Sequence, residues 1–411
     1  MKRPAVPFIM LTSLIDVIGI GLIIPVLPAL VGEFTHDPQS QAYWYGALIG
    51  TFGAAQFLCA PLLGALSDRY GRRPVLLLGI AGLGVTFLVS ALTHSLWVLV
   101  GVRLLGGGLS ANFAVAQAYV ADITTNENRT PALGKLGAMF GLGFVLGPVI
   151  GGLLGQSDLR LPFFAAAGMC AVNWLYGLLV LPESLPLERR NYVLAGRLNP
   201  FSSLAGLARL KGVGPLVFAV AAATLAQLTL QSVWVLFTGL RFQWGPRENG
   251  YSLFVVGLVA VVVQGGLMRS LLRTMGERML IVAGLGSGVL AYAGYGLVPQ
   301  GWMLYLVIMA NFLAFASATA LQGVVSKAAD VHEQGRTMAT LTSLNSILGI
   351  AAPLLGTALL GQVSHLPHDS VLLGTPFFAC SLLELLAFLI ARQYFSHHAP
   401  AAALATSRGA A

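Results

Sequence analysis

Apolar residues run through this chain in long blocks separated by short polar stretches. Measured against the roughly 20 residues that a helix needs to cross a hydrocarbon core, the blocks predict twelve spans: 7–31, 43–63, 74–93, 96–121, 132–155, 162–182, 213–238, 250–270, 279–298, 302–325, 338–362 and 371–393. An even number puts both termini on one side. The first block contains Asp16 and lacks a small-residue cleavage site, so it reads as a retained helix and not a removed signal peptide.

Cations sort sharply between the two sets of intervening loops. One set holds Arg69, Arg72, Arg73, Arg129, Lys135, Arg189, Arg190, Arg269, Arg273 and Arg278 among others, whereas the opposite set holds only Arg160, Arg241 and Arg247. The positive-inside rule then makes the first set, with both termini, cytoplasmic. The longest polar stretch divides the spans six and six. The expected organisation is a six-helix bundle over 1–182, a cytoplasmic linker over 183–212, a second six-helix bundle over 213–395 and a disordered cytoplasmic tail over 396–411. A weak echo between Gly64-Ala-Leu-Ser-Asp-Arg-Tyr-Gly-Arg-Arg-Pro and Arg273-Thr-Met-Gly-Glu-Arg supports two related halves. Such pairs are the construction of many secondary transporters, with substrate bound near the bilayer midplane.

Composition agrees with an all-α membrane protein. Of 411 residues, 56% are hydrophobic and 9% charged, against roughly 25% charged in soluble domains. The net charge of +8 lies in scattered interhelical loops, so it reads as membrane orientation and not as a nucleic-acid surface. The three cysteines sit inside apolar runs as small hydrophobes, and neither HExxH nor CxxC occurs, so no disulfide framework, metal or cofactor is expected.

The chemistry resides in the few polar groups inside the spans. Asp16, Arg103 and Glu384 are the charged residues well inside them, where each costs roughly 2.5–3.5 kcal/mol on insertion scales unless paired or hydrated. Asp16 stands about nine residues, or ~14 Å, into the first span, and is the first candidate for a proton-binding group, with Arg103 and Glu384 as the other proton-coupling candidates. The alternatives are a permanent pair with Arg103 or a hydrated cavity wall. Gln56, Asn112, Gln117, Gln227, Gln231, Gln322 and Asn345 are candidates to hydrogen-bond a substrate, with interhelical contact as the competing use.

Three local stretches carry a resemblance. Gly64-Ala-Leu-Ser-Asp68-Arg69-Tyr-Gly71-Arg72-Arg73-Pro resembles the loop signature of the major facilitator superfamily. Gly141-Leu-Gly143-Phe-Val-Leu-Gly147-Pro148-Val-Ile-Gly151-Gly152 resembles the fifth-span motif of its drug antiporters, and Leu181-Pro-Glu-Ser the end of their sixth span. The stretches around Asp16, Trp234 and Gln322 are similar to the tetracycline/proton antiporters. The resemblance implies proton-driven export of a lipophilic small molecule by a monomer in a bacterial inner membrane, without catalysis. Trp234 joins the amides as a substrate contact. It also implies a cytoplasmic latch in which Asp68 meets the start of the eleventh span and Arg72 meets Asp122. The chain departs from the tetracycline pumps, whose third and ninth spans carry acids and whose eighth often carries histidine. Here Thr86, Gly286-Ser287-Gly288 and Ala260 occupy those regions. A symporter or uniporter of the same fold, or a membrane receptor without flux, are the other readings.

Overall fold

The computed structural model describes residues 6–190, 214–328 and 334–397, and the side chains of all of these except 326–339. Most of the expected linker and tail therefore lies outside the described residues, as do the side chains at the start of the eleventh span. The architecture is all-α. In chain order the helices are α1 (Val6–Ile23), α2 (Leu27–Gly32), α3 (Pro38–Tyr70), α4 (Arg72–Leu92), α5 (Leu96–Leu109), α6 (Asn112–Ile123), α7 (Asn126–Ser157) and α8 (Leu161–Leu179). There follow α9 (Gly214–Phe242), α10 (Pro246–Val262), α11 (Met268–Leu297), α12 (Gly301–Ala310), α13 (Phe312–Ala328), α14 (Gln334–Val363) and α15 (Thr375–His397). Helices prevail because hydrocarbon offers no partner for backbone N–H and C=O groups, which must be satisfied within each segment.

Among the described residues, ten helical runs are long and apolar enough to cross a membrane, and eleven if α12 and α13, bent by 44°, count as one. One of the ten is the 52-residue run Pro246–Leu297. At 1.5 Å per residue it would extend ~78 Å, more than twice a hydrocarbon core, and Gly276 breaks it with φ 73° and ψ 161°. By length it accounts for two crossings, the eighth and ninth spans.

Three spans that the apolar blocks predicted as continuous are broken. The first stops at Ile23 and restarts at Leu27, around Pro25, which has no N–H to donate. The fourth breaks at Ser110–Ala111, after three successive glycines of low helix propensity. The tenth breaks at Asn311, whose side chain accepts from Ser287 Oγ at 3.2 Å. Asn and Ser side chains compete with the backbone for such bonds.

By proximity along the fold, the chain divides into two compact units. The first comprises Met1–Ser202, Gln231–Leu258 and Gly349–Leu373. Its core includes Ile9, Leu76, Val115, Tyr119, Val120, Leu136 and Leu181. Bulk hydrophobicity does not drive helices together inside lipid, so close backbone approach at small residues matters most. Accordingly α7 lies directly on α1: a Cβ added to Gly147 would stand 2.7 Å from Gly21 Cα, and one on Gly143 2.8 Å from Val17 Cβ. On another side of α7, a Cβ at Gly152 would stand 3.0 Å from Gly250 Cα.

The second unit comprises Ser203–Leu230, Val259–Leu348 and Gly374–Ala411. Its core gathers Leu216, Val217, Leu280, Ile281, Leu285, Val325 and Ala387. Large side chains left on the outside, such as Leu290 at 76% exposure, are those of a surface that meets lipid. All three cations assigned to the sparsely charged loops have partners. Arg160 donates to Ala91 O, Thr93 O and Glu33, Arg241 to His368 O and Ser370 O, and Arg247 to Tyr251.

Candidate functional site

Asp16 lies on α1 and is 7% exposed. Its neighbours on α1 are held by α7, and Asn173 Nδ2 of α8 donates to Thr12 O at 3.0 Å, one turn away. The break between α5 and α6 supplies its partner. Asn112 opens α6, and its Nδ2 lies 3.1 Å from Asp16 Oδ1 and 3.2 Å from Oδ2. The other end of the same amide, Oδ1, occupies the gap left by Gly79 on α4, where any side chain would collide with it. The orientation of the amide is therefore fixed. Among the described residues no cation pairs with Asp16.

Asp16 and Asn112 line a cavity of about 290 Å³. Thr12, Ser13, Gln56 and Ser110 supply further polar groups, and Phe52, Phe113, Phe140 and Phe144 supply rings. Phe140 is central to the aromatic wall, with its centroid 4.6 Å from Phe113 and 4.9 Å from Phe144. Gln56 Nε2 donates to Ser110 O at 2.9 Å, a carbonyl freed by the helix break. The site thus combines one carboxyl, fixed amides and a face of rings, which suits a partly polar, largely apolar ligand.

The other candidates are placed apart from this cavity. Arg103 on α5 does not line the cavity and does not pair with Asp16; its guanidinium lies 5.9 Å from the ring of the lining residue Phe52. Gln117 and Gln231 are exposed within the first unit, and Trp234 is buried there, its Nε1 donating to Ser252 Oγ at 2.9 Å. Gln227 and Gln322 are exposed in the second unit, and Asn345 is half-buried there with Oδ1 unbonded. Glu384 also belongs to the second unit. The four rings were missed by sequence reasoning, because a phenylalanine in an apolar run reads the same whether it faces lipid, a core or a cavity.

The loop signature forms a second constellation. Arg72 Nη1 pairs with Asp68 Oδ1 at 2.5 Å, and its Nε donates to Asp122 Oδ2 at 3.0 Å. Glu183, from the sixth-span motif, accepts from the backbone N–H groups of Arg72 (2.9 Å), Arg73 (3.3 Å), Ser184 (3.0 Å) and Leu185 (3.0 Å). It thereby caps the start of α4, where orphan N–H groups and the helix dipole favour an anion. Ser184 Oγ donates to the same Asp122 oxygen at 3.2 Å. Gly71, at φ 105°, brings the chain so close to Glu183 that a Cβ would collide with the carboxylate. Two motifs 110 residues apart are one network. No atom of the described residues lies within 4 Å of where a Cβ on Gly64 would stand, and Arg69 stacks on Tyr70. The proposed meeting of Asp68 with the eleventh span falls at its start, outside the described side chains.

The chain is similar in sequence and in fold to known proteins. The chain matches the Major Facilitator Superfamily over residues 9–353. It is 37% identical to the tetracycline resistance protein, class C, of Escherichia coli, across 85% of this chain and 87% of that protein. It is 31% identical to multidrug resistance protein 2 of Bacillus subtilis (strain 168), across 88% and 90%. Among solved structures, the human organic anion transporter MFSD10 (TETRAN) superposes with a TM-score of 0.68 at 28% identity, across 95% of this chain and 100% of that one. On the strength of the matched length, the shared fold and these relatives, the chain is a multi-pass membrane protein that belongs to the Major Facilitator Superfamily.

Proposed function

We propose that the chain exports amphipathic small molecules in exchange for protons, by alternating access, across the inner membrane of a bacterium. On this reading it works as a monomer with both termini cytoplasmic, and 1–182 and 213–395 are six-helix bundles joined by the 183–212 linker. Asp16 is the proton-binding group and Asn112 its positioning residue. The observation that carries the reading is a buried carboxyl, held by an amide and paired with no cation among the described residues, in the wall of a ring-lined cavity. Protonation of Asp16 removes the one negative charge of that wall, and deprotonation restores it. Proton and substrate can thus use the same cavity in alternation, with no covalent step.

The names of the relatives cover tetracycline and multiple drugs. The rings, together with Gln56 and Asn112, favour breadth: apolar contact tolerates many shapes, and neutral amides select weakly by charge. Gln117, Gln227, Gln231, Trp234, Gln322 and Asn345 are proposed contacts in other steps of the cycle, with Arg103 a fixed charge near the cavity. The network of Asp68, Arg72 and Asp122 is proposed as the latch of the cytoplasmic gate. A panel of lipophilic drugs including tetracycline, presented to energised inside-out vesicles, tests the reading. Accumulation that an uncoupler abolishes is expected, and facilitated flux indifferent to the uncoupler would replace export by uniport.

A further inference from the structure

Glu384, on α15 in the second unit, is 4% exposed. Its carboxyl occupies a notch that α11 leaves at Gly288, where a Cβ would stand 2.8 Å from Oε1 and 3.2 Å from Cδ. Tyr292 follows Gly288 by four residues and so shares its face. Cys380 precedes Glu384 by one turn of α15. Among the described residues these two are the ionisable groups seen to interact with Glu384, and a phenol and a thiol carry no charge at neutral pH in the ordinary case. The segment of α9 in this unit, 214–230, carries no ionisable side chain. Among the described residues no cation pairs with Glu384, and its Oε2 makes no hydrogen bond.

An ionised carboxylate in that notch would have neither counter-ion nor full hydrogen bonding, whereas a neutral acid tolerates the same surroundings. We propose that Glu384 is a second proton-carrying carboxyl, separate from Asp16: it holds its proton in the conformation described here and releases it when the α11–α15 contact opens the Gly288 notch to water. The O–H bond breaks, the proton passes to water and the carboxylate remains until the notch closes on a new proton. This inference rests on the proton-coupled reading but uses a different unit and a different residue.

Infrared spectra of the full chain in liposomes test it. At neutral pH a carbonyl band of a protonated buried carboxyl is expected in the parent, absent from Glu384→Gln, retained in Asp16→Asn and displaced in Gly288→Ala. The band should vanish on alkaline titration, with one proton fewer released per chain by Glu384→Gln than by the parent. In inside-out vesicles Glu384→Gln should lower uncoupler-sensitive accumulation of tetracycline at least tenfold. A band that Glu384→Gln leaves in place, one that never titrates, or unimpaired accumulation in that variant would each overturn the proposal. Should Glu384→Gln misfold, an unshifted band in Gly288→Ala would overturn it as well. Loss of the band in Glu384→Gln together with unchanged transport in Asp16→Asn would keep this inference and remove the Asp16 reading.

Discussion

Asn112 Nδ2 lies within 3.2 Å of both carboxylate oxygens of Asp16, although 96 residues separate the two in the chain. The contact exists because the fourth span stops at Ser110 and α6 restarts at Asn112, and because Gly79 leaves room for the far end of the amide. An unbroken fourth span would carry no such guarantee. A helix break, not an extra charge, supplies the partner of the buried acid.

The aromatic wall should control affinity. Phe140→Ala removes the ring that touches both Phe113 and Phe144. A ring stacked on a ring of the drug contributes about 0.5–1.5 kcal/mol beyond area burial, so KM for exported lipophilic drugs should rise severalfold while kcat changes little. Phe140→Leu should have a smaller effect. Unchanged KM across a drug panel would remove the rings from the binding surface.

Glu183 should matter for stability more than its place at a helix end suggests. Glu183→Ala leaves the N–H groups of Arg72, Arg73, Ser184 and Leu185 without their acceptor. Hydrogen bonds to charged groups contribute roughly 1.5–3 kcal/mol each, less where water can replace them. A clear fall in Tm of the detergent-purified chain is expected. Gly71→Ala should also destabilise, by about 1–3 kcal/mol, because φ 105° is strained for any side chain and the Cβ meets Glu183. Full stability in either variant would refute the capping role.

Much of this was legible in the chain itself. The apolar blocks fix the helices because a span must be long and uninterrupted by charge, and Asp16 and Glu384 stand out for the same reason. The breaks at Ile24–Val26, Ser110–Ala111 and Asn311 were less legible, since proline, glycine and asparagine are all tolerated inside membrane helices when neighbours satisfy the freed groups. The partner of Glu183 was not legible at all. Its four N–H donors include two that lie 110 and 111 residues away, and backbone donors leave no mark in the sequence. Cavity rings and lipid-facing rings likewise obey one composition.

Close packing between α7 and α10 should be sensitive to single carbons. A Cβ at Gly250 would stand 2.6 Å from Pro148 O, so Gly250→Val should separate the two helices there. Thiol probes at introduced cysteines near Gly152 should react faster in the variant, and turnover should fall several-fold. Equal labelling in variant and parent would contradict the packing account.

The start of α3 has a simple pH dependence. Asp37 Oδ1 accepts from Ser40 N at 2.8 Å, and Oδ2 accepts from Ser40 Oγ at 2.8 Å. These bonds, the backbone one foremost, hold its carboxyl below its ordinary value. A depressed value in the folded state means stabilisation that is present above the unfolded value of about 3.9 and lost as pH falls through the folded one. Asp37→Ala should therefore lower Tm at neutral pH and match the parent in strong acid. A Tm difference that persists in strong acid would point to packing instead.

Proton coupling through Asp16 is tested most directly by comparing two modes of transport in the same inside-out vesicles. Drug accumulation driven by an imposed pH gradient is measured beside drug–drug exchange at equilibrium, for the parent and for Asp16→Asn, with tetracycline and the lipophilic panel. Asp16→Asn should abolish gradient-driven accumulation and leave exchange measurable, since the amide keeps the size of the carboxyl but cannot bind and release a proton. Accumulation in Asp16→Asn that matches the parent and collapses with an uncoupler would contradict the account.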